Sequence, residues 1–518
     1  MKGKSLQREE RIAIYCYIKS ASIWGIEPYV VDIEADVSSG LPYFNMVGLL
    51  ASEVREARER VRSAIKNIGE TLPSGRITIN LSPADRKKEG TAFDLPIAIA
   101  LLCVMQRLDA KRFKDTLIVG ELGLDGEIKK VRGILPIVAM AQNLGLKKCI
   151  IPYDNRQEGS VCDKVTLLAF QSLKELVDYY TEQPEGMSVN YLREVSLVSG
   201  KPDNLLQPER ESEQDFLDIC GQETVKRAIV VAVAGHHNLL MSGVPGVGKS
   251  MLASRIPDIM PPLSLEEKLE VSGIYSICGK LNASGLMEGR PFSAPHHTIT
   301  TAALIGGGII PVPGEITLAH RGVLFLDELP EFHQNVLDSL RQPLEEREVK
   351  LHRNKGSYIF PADCLLVAAM NPCKCGYYPD RNRCHCSEAD VKRYQSRISG
   401  PLLDRIDMSI EVPRVKMEAS SVLSTAQMRE MVHRAVERQK DRNGGKNNSS
   451  LSIKELQNYC ELDEESEDFI RQAYEKFEMS MRGYHKVLKI ARTVADVEQS
   501  ENININHLSE ALTYRLMF

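Results

Sequence analysis

The 518-residue chain has no long hydrophobic run. Its longest apolar stretch, residues 95–105, is about half of the ~20 residues that a membrane-spanning helix needs. It also lacks a surplus of charge of one sign: 65 Lys and Arg stand against 70 Asp and Glu, a net charge of −5. Such a chain is no polycation, so any surface for nucleic acid must be local, as in a pore. Residues 1–10 are polar and charged, with no apolar core of a secretory leader, which predicts a cytoplasmic protein with reduced thiols. What is present is an ordinary globular composition, 43 % hydrophobic and 26 % charged. The length predicts two or three domains.

The densest chemical signal is Gly243, Val244, Pro245, Gly246, Val247, Gly248, Lys249 and Ser250, which reads G-x-x-x-x-G-K-[ST]. An apolar strand precedes it at 238–241 and a helix follows, as a phosphate-binding loop requires. The glycines let successive N–H groups turn inward onto phosphate. Lys249 is expected at the β- and γ-phosphates of ATP, and the Ser250 hydroxyl on Mg²⁺. Downstream, four apolar residues at 323–326 end in Asp327 and Glu328. Acids at the C-terminal end of a buried strand face the ligand in open α/β sheets. Asp327 is expected to orient Mg²⁺, and Glu328 to act as general base on water.

Of the 12 cysteines, Cys373, Cys375, Cys384 and Cys386 form C-x-C-x₈-C-x-C. Four thiolates can close a tetrahedral Zn²⁺ site, and this clustering fits a metal better than a disulfide framework. Four reduced thiols in a loop, or His385 in place of one ligand, remain open alternatives. His296 and His297 are adjacent, so their side chains are expected to point apart, and with no third ligand near in sequence a metal there is rejected. Residues 349–360 contain two alternating runs around Asn354-Lys355-Gly356, a hairpin signal. Lys350, Arg353 and Lys355 make it basic; a phosphate-tracking hairpin and a solvated charged one are both consistent with that.

The N-terminal third reads as mixed α/β. Residues 1–18 are a polar lead-in; strands are expected at 30–37 and 77–81, a helix at 52–68 capped by Gly69, a turn at 82–85 and a buried helix from Phe93. The triplet Arg86, Lys87, Lys88 reads as a solvated loop that can touch phosphate. Three segments here, Gly-Leu-Pro-Tyr-Phe-Asn-Met-Val-Gly-Leu at 40–49, Asn-Leu-Ser-Pro-Ala-Asp at 80–85 and Lys-Glu-Gly-Thr-Ala-Phe-Asp-Leu-Pro at 88–96, resemble the YifB/ComM family. These are magnesium-chelatase-like AAA+ ATPases, and the resemblance extends over residues 20–518.

The resemblance implies an α/β protein in several parts. They are an N-terminal extension (1–19), a Lon-protease-like α+β domain (20–183), a linker (184–214), a P-loop AAA+ α/β core (215–415) carrying the Cys loop 373–386, and a C-terminal helical lid (416–518). The lid is expected as a helix over 416–442, a Gly/Asn/Ser loop over 443–450, and helices to the end, with Asn506 as a cap. Lon-type proteolysis needs a serine–lysine pair. Ala92 and Leu135 stand near those positions, and no base is evident for the neighbouring Thr91. The domain is therefore expected to be non-catalytic.

By the same resemblance Asn371, at the end of an apolar run, is sensor 1, Arg405 is the arginine finger and Arg482 is sensor 2; Arg397 is a rival finger. A finger given to a neighbouring subunit implies a ring, in this family a homo-hexamer. The family further implies DNA as substrate, recombination proteins as possible partners, and branch migration as transforming DNA is integrated. Two alternatives stay open: a chelatase-like protein-remodelling ATPase, although no integrin-like metal-binding module is found, and an ATP-dependent protease.

Overall fold

Alternation of apolar and polar residues makes strand Glu27–Ser38, with Val31, Ile33 and Ala35 buried on one face. It pairs antiparallel with Tyr15–Trp24. That second strand corrects the expectation of a lead-in and extension up to residue 18 or 19. Cys16 and Ile18 alternate into the core, and the polar partners Lys19 and Tyr17 on the other face hid the pattern. The computed structural model describes residues 15–182, 215–282, 284–308, 311–353, 356–415 and 421–515. The linker expected at 184–214 lies outside them. The described residues form two compact units.

The first unit holds a seven-stranded mixed sheet in the order Tyr43–Val47, Arg76–Ser82, Glu27–Ser38, Tyr15–Trp24, Thr116–Ile118, Lys148–Pro152, Thr166–Phe170. Helix Ser52–Asn67 lays Val54, Ala57, Val61, Ala64 and Ile65 on the core, and Gly69 follows it at φ +87°. Helix Asp94–Val104 is buried along its whole length. At its start, buried Asp94 takes a forked pair of bonds from Arg60, at 2.6 and 3.0 Å. Leu135 is buried in helix Ile134–Asn143 and cannot serve as a lysine would. Thr91 donates its hydroxyl to Glu121, a partner not evident in the sequence. Lys88 is a correction: it is fully buried, its ammonium donating to the Arg86 carbonyl at 2.9 Å, so it is no part of a solvated loop.

The expected domain boundaries miss one excursion. Ser272–Met287, within the stretch assigned to the ATPase core, belongs to the first unit. Its Ser276 donates to buried Glu158, which also accepts from Asn155 and from the Leu135 N–H, each at 3.0 Å. Gly285 comes so close that a Cβ there would lie 2.6 Å from the Gln157 carbonyl oxygen.

The second unit is built on a five-stranded parallel sheet, ordered Phe292–Ser293, Val323–Leu326, Leu365–Met370, Leu239–Ser242, Met408–Glu411. The central strands are apolar throughout, as burial on both faces demands. Helices Thr425–Asn443, Ile453–Tyr459, Glu464–Lys476, Met481–Val497 and Ile505–Thr513 complete its core. Of the helix expected over 416–442, residues 416–420 lie outside the described residues and 421–424 are not helical. It starts after Ser424, whose side chain and that of Gln427 form a capping box. The last is capped by Asn504, not Asn506.

The loop expected over 443–450 is anchored, because Asn448 is fully buried. Asn448 donates to Asp496 at 2.8 Å and Thr493 at 3.0 Å, and accepts from Arg442 at 3.0 Å. Arg442 in turn forks onto Asp496 at 2.6 and 2.8 Å. Among the described residues, no helix is long and apolar enough to cross a membrane.

Candidate functional site

Because the five strands run parallel, residues that follow them gather at one edge of the sheet and residues that precede them at the other. The first edge holds the phosphate loop. Strand Leu239–Ser242 ends at Gly243, where a Cβ would lie 2.6 Å from the Val412 carbonyl oxygen. Gly246 and Gly248 have φ of +79° and +89°, the left-handed region that favours glycine. Lys249 is 8 % exposed and donates to the carbonyls of Gly243 (2.6 Å) and Val244 (3.2 Å) and to Asn371 Oδ1 (3.1 Å). Burial pushes its pKa below the ordinary lysine value, against the opposing pull of Asp327 and Glu328.

Ser250 Oγ donates to Asp327 Oδ2 at 2.7 Å. A hydroxyl and a carboxylate oxygen thus meet beside the phosphate loop, the hard oxygen donors that suit Mg²⁺. Asp327 Oδ1 accepts from the Glu328 N–H at 2.9 Å. Glu328 itself sits at φ +53°, a strained conformation for a side-chain-bearing residue, and its carboxylate is half exposed. Sequence reasoning placed Lys249, Ser250, Asp327, Glu328 and Asn371 in one site, and all five lie at this edge.

It missed His297. The His297 Nδ1 lies 3.5 Å from Glu328 Oε2. The two histidine rings do not point apart as expected: their centroids are 4.0 Å apart. Among the described residues, the potential metal ligands that gather in a group of three or more are four cysteines.

Those cysteines follow Asn371 directly. Sulfur–sulfur distances are 3.3 Å for Cys373–Cys375, 3.5 Å for Cys375–Cys384 and 3.7 Å for Cys373–Cys384, and Cys386 lies within 4.8 Å of the others. Zinc–sulfur bonds of ~2.3 Å in a tetrahedron put sulfurs about 3.8 Å apart, so the four thiols fit Zn²⁺. His385 is outside the cluster. The loop leans on the phosphate loop: a Cβ at Gly376 would lie 2.6 Å from Pro245 Cδ.

The other edge holds Arg405 and Arg482. Asn238 and Asp407, which precede strands Leu239–Ser242 and Met408–Glu411, bond across this edge, and Asn238 also donates to the Arg405 carbonyl at 2.8 Å. The Arg405 guanidinium is held by the carbonyls of Arg341 (2.9 Å) and Pro401 (2.7 Å) and by Glu345. Arg482 lies 3.8 Å from Asp404 and is half exposed. Both arginines line a cavity of about 440 Å³ with Arg347, His485, Lys486 and Lys489. Burial lowers the pKa of both lysines. Arg397 is elsewhere, paired with Glu331 at 2.9 Å on the turn just after Glu328.

The basic hairpin is present, Glu348–Arg353 paired antiparallel with Gly356–Pro361. Lys350 is bound by Glu346 at 2.8 Å and Glu348 at 2.7 Å, which together raise its pKa. Arg353 is exposed and donates to the His352 carbonyl. Lys355 lies outside the described residues.

Three family models match the chain: "Subunit ChlI of Mg-chelatase" over residues 33–155, "Magnesium chelatase, subunit ChlI" over 215–420, and "Magnesium chelatase, subunit ChlI C-terminal" over 423–515. Competence protein ComM of Haemophilus influenzae is 42 % identical over 96 % of this chain and 97 % of its own. Protein YifB of Escherichia coli is 40 % identical over 95 % of each. Lon protease 2 of Bacillus subtilis is 28 % identical over 28 % of this chain and 27 % of its own.

Proposed function

Since the chain belongs to the YifB/ComM family of magnesium-chelatase-like AAA+ ATPases, we propose that it is a ring-forming, ATP-hydrolysing motor that acts on DNA. The observation that carries this is the division of the catalytic residues between two edges of one sheet. Lys249, Asp327, Glu328 and Asn371 stand at one; Arg405 and Arg482, in a cavity rich in cations, stand at the other. A strand between them of about four residues spans roughly 13 Å, too far for either arginine to reach its own phosphate loop. A head-to-tail neighbour brings them together, and such contacts close into a ring; six subunits is the family's number.

In this arrangement Lys249 and the loop N–H groups hold the ATP phosphates. Ser250 and Asp327 would hold Mg²⁺, which would supply neutralising charge there. Glu328 accepts a proton from the attacking water, whose oxygen bonds to the γ-phosphorus as the bond to the bridging oxygen breaks and ADP leaves. Asn371 holds the water or the γ-phosphate. Arg405 and Arg482 of the next subunit meet the charge on the transferring group. Arg397, beside Glu331, is on its own subunit's side of the site and is not assigned the finger. Cys373, Cys375, Cys384 and Cys386 would hold a structural zinc ion.

DNA as substrate, and branch migration during integration of transforming DNA, are supported by the similarity to a competence protein and by the hairpin that carries Lys350 and Arg353. Lys350, bound to two carboxylates, favours a second reading, a chelatase-like remodeller of a protein partner. The test is ATP hydrolysis with and without single-stranded and forked DNA, on the wild type and a Lys350/Arg353/Lys355 triple alanine variant. DNA is expected to raise turnover several-fold, and the variant to keep its basal rate while losing the increase. Turnover indifferent to DNA would favour the protein-remodelling reading.

A further inference from the structure

The first unit carries two charged faces that take no part in nucleotide chemistry. On strand Glu27–Ser38, Val31, Ile33 and Ala35 point to one side of the sheet and share a core with helix Ser52–Asn67. The alternate residues Asp32, Glu34 and Asp36 point to the other side. Register sets Tyr15 beside Asp36, Tyr17 beside Glu34 and Lys19 beside Asp32. This side of the sheet is open: Tyr15 is 58 % exposed, and Tyr43, on the edge strand, 57 %. Asp32 is held by Lys19 at 3.6 Å and by the Tyr17 hydroxyl at 2.5 Å. Glu34 accepts from the Asn80 amide at 2.9 Å, a neutral partner that leaves its charge in place. Glu34 and Asp36 thus give the face a surplus of negative charge.

The second face belongs to the helix. Its Val54, Ala57, Val61 and Ala64 are buried. Arg55, Arg58, Arg62 and Lys66 follow one another at three- and four-residue spacing, so they form one stripe, and all four are exposed. Arg58 donates to Glu59 at 3.0 Å, a pair in open solvent that holds it weakly.

The two faces match in length and sign. Eleven residues of helix separate Arg55 from Lys66, a run of about 16 Å. Four residues of strand separate Asp32 from Asp36, about 13 Å. They lie on opposite sides of one layered unit, so a chain cannot close the contact with itself. A second copy can, and pairing the front of one copy with the back of the next is head to tail. DNA would use the stripe and leave the sheet face without a role; a second copy uses both.

We propose that the sheet face of Asp32, Glu34 and Asp36 docks the stripe Arg55, Arg58, Arg62 and Lys66 of a second copy of this chain. The cations meet the carboxylates and lie against the exposed rings of Tyr15 and Tyr17. The contact adds a joint in the first unit to the one proposed at the phosphate loop, and its place in a ring rests on that reading.

The experiment uses the full chain. Glu34→Arg with Asp36→Arg reverses the face, and Arg58→Glu with Arg62→Glu reverses the stripe. Sedimentation over a range of concentrations, with ATP and at low and high salt, reads self-association, and circular dichroism reads folding. Each double variant alone is expected to raise the concentration for half-assembly by about tenfold or more at low salt. High salt should narrow the difference. Mixed in equal amounts, the two variants should recover assembly, because the reversed face of one meets the reversed stripe of the other and the return contact is native. In assembled wild type, a carbodiimide should join Lys66 to Glu34 or Asp36 between isotope-labelled and unlabelled chains, as read by mass spectrometry. A midpoint that neither variant moves, no recovery on mixing, or no such cross-link would overturn the docking, leave the ring to the phosphate-loop contact, and leave the sheet face to a basic segment of another protein. A stripe reversal that lowers DNA affinity while assembly holds would hand the stripe to DNA and also overturn it. A wild type that stays monomeric with ATP would overturn the ring reading together with this contact.

Discussion

At the scale of single residues, burial writes a pH dependence into the second unit. His237 is 1 % exposed, with its Nε2 bonded to Thr493 Oγ1 at 2.8 Å. Burial, with help from nearby Lys489, lowers its pKa from 6.5 to about 3. As pH falls below 6.5 the unfolded chain takes up a proton here that the folded chain refuses, until about pH 3. Stability is therefore lost over that window at about 1.4 kcal/mol per pH unit. Urea unfolding at pH 7 and pH 5 should show the wild-type transition of the second unit losing about 2 kcal/mol more than that of His237→Asn. Equal losses would show that His237 is free to charge in the folded state.

The side chains that gather beside the phosphate loop could be placed together from the sequence because each proposed role needs one side-chain type at a fixed offset from a strand or glycine turn. Lys249 and Glu328 are of that kind. His297 was not, because 31 residues separate it from Glu328 and only the pairing of Phe292 with Val323 closes the gap. Its ring stacking on His296 reversed the expectation that adjacent side chains diverge, since in a loop neighbours are not held to a strand's alternation.

At the scale of elements, the Cys loop and the phosphate loop share a contact. Gly376, at φ +87°, is the close point against Pro245. Zinc that fixes the four cysteines would thereby support the loop that holds phosphate. Stripping the metal with a chelator, or Cys375→Ser, is expected to raise the ATP KM by on the order of tenfold with a smaller effect on kcat. Metal analysis of the purified protein, alongside binding of a fluorescent ATP analogue, checks this. A full loss of zinc with no change in nucleotide binding would separate the two loops.

Composition misled most where polar residues were buried. Asn448 sits in a Gly/Asn/Ser-rich stretch that reads as a solvent loop, yet it closes a network with Arg442 and Asp496. The first strand, Tyr15–Trp24, was hidden by its polar outer face. Elements with strong periodicity, such as Ser52–Asn67 and Val323–Leu326, fell where the pattern predicted.

At the scale of the whole molecule, the proposed sharing of a site between subunits would have a genetic signature. A Glu328→Gln subunit still offers Arg405, and an Arg405→Ala subunit still offers Glu328. Each variant alone should be inactive. Mixed in equal amounts before assembly, they rebuild intact sites at about one quarter of the contacts by random pairing. Turnover returning to about that fraction of the wild type would place Arg405 in the neighbour's site. No recovery on mixing would return the finger to its own subunit, where Arg397 stands.

The excursion of Ser272–Met287 bears on how such a protein can change over time. The chain leaves the second unit, joins the first through Ser276 and Gly285, and returns. The two units are therefore not beads on a string that recombination can exchange at will. A gene shortened to the second unit's span would keep an orphaned segment whose matching surface had been deleted, and a foreign leading domain would have to supply a Glu158 of its own. Inheritance of one unit constrains inheritance of the other.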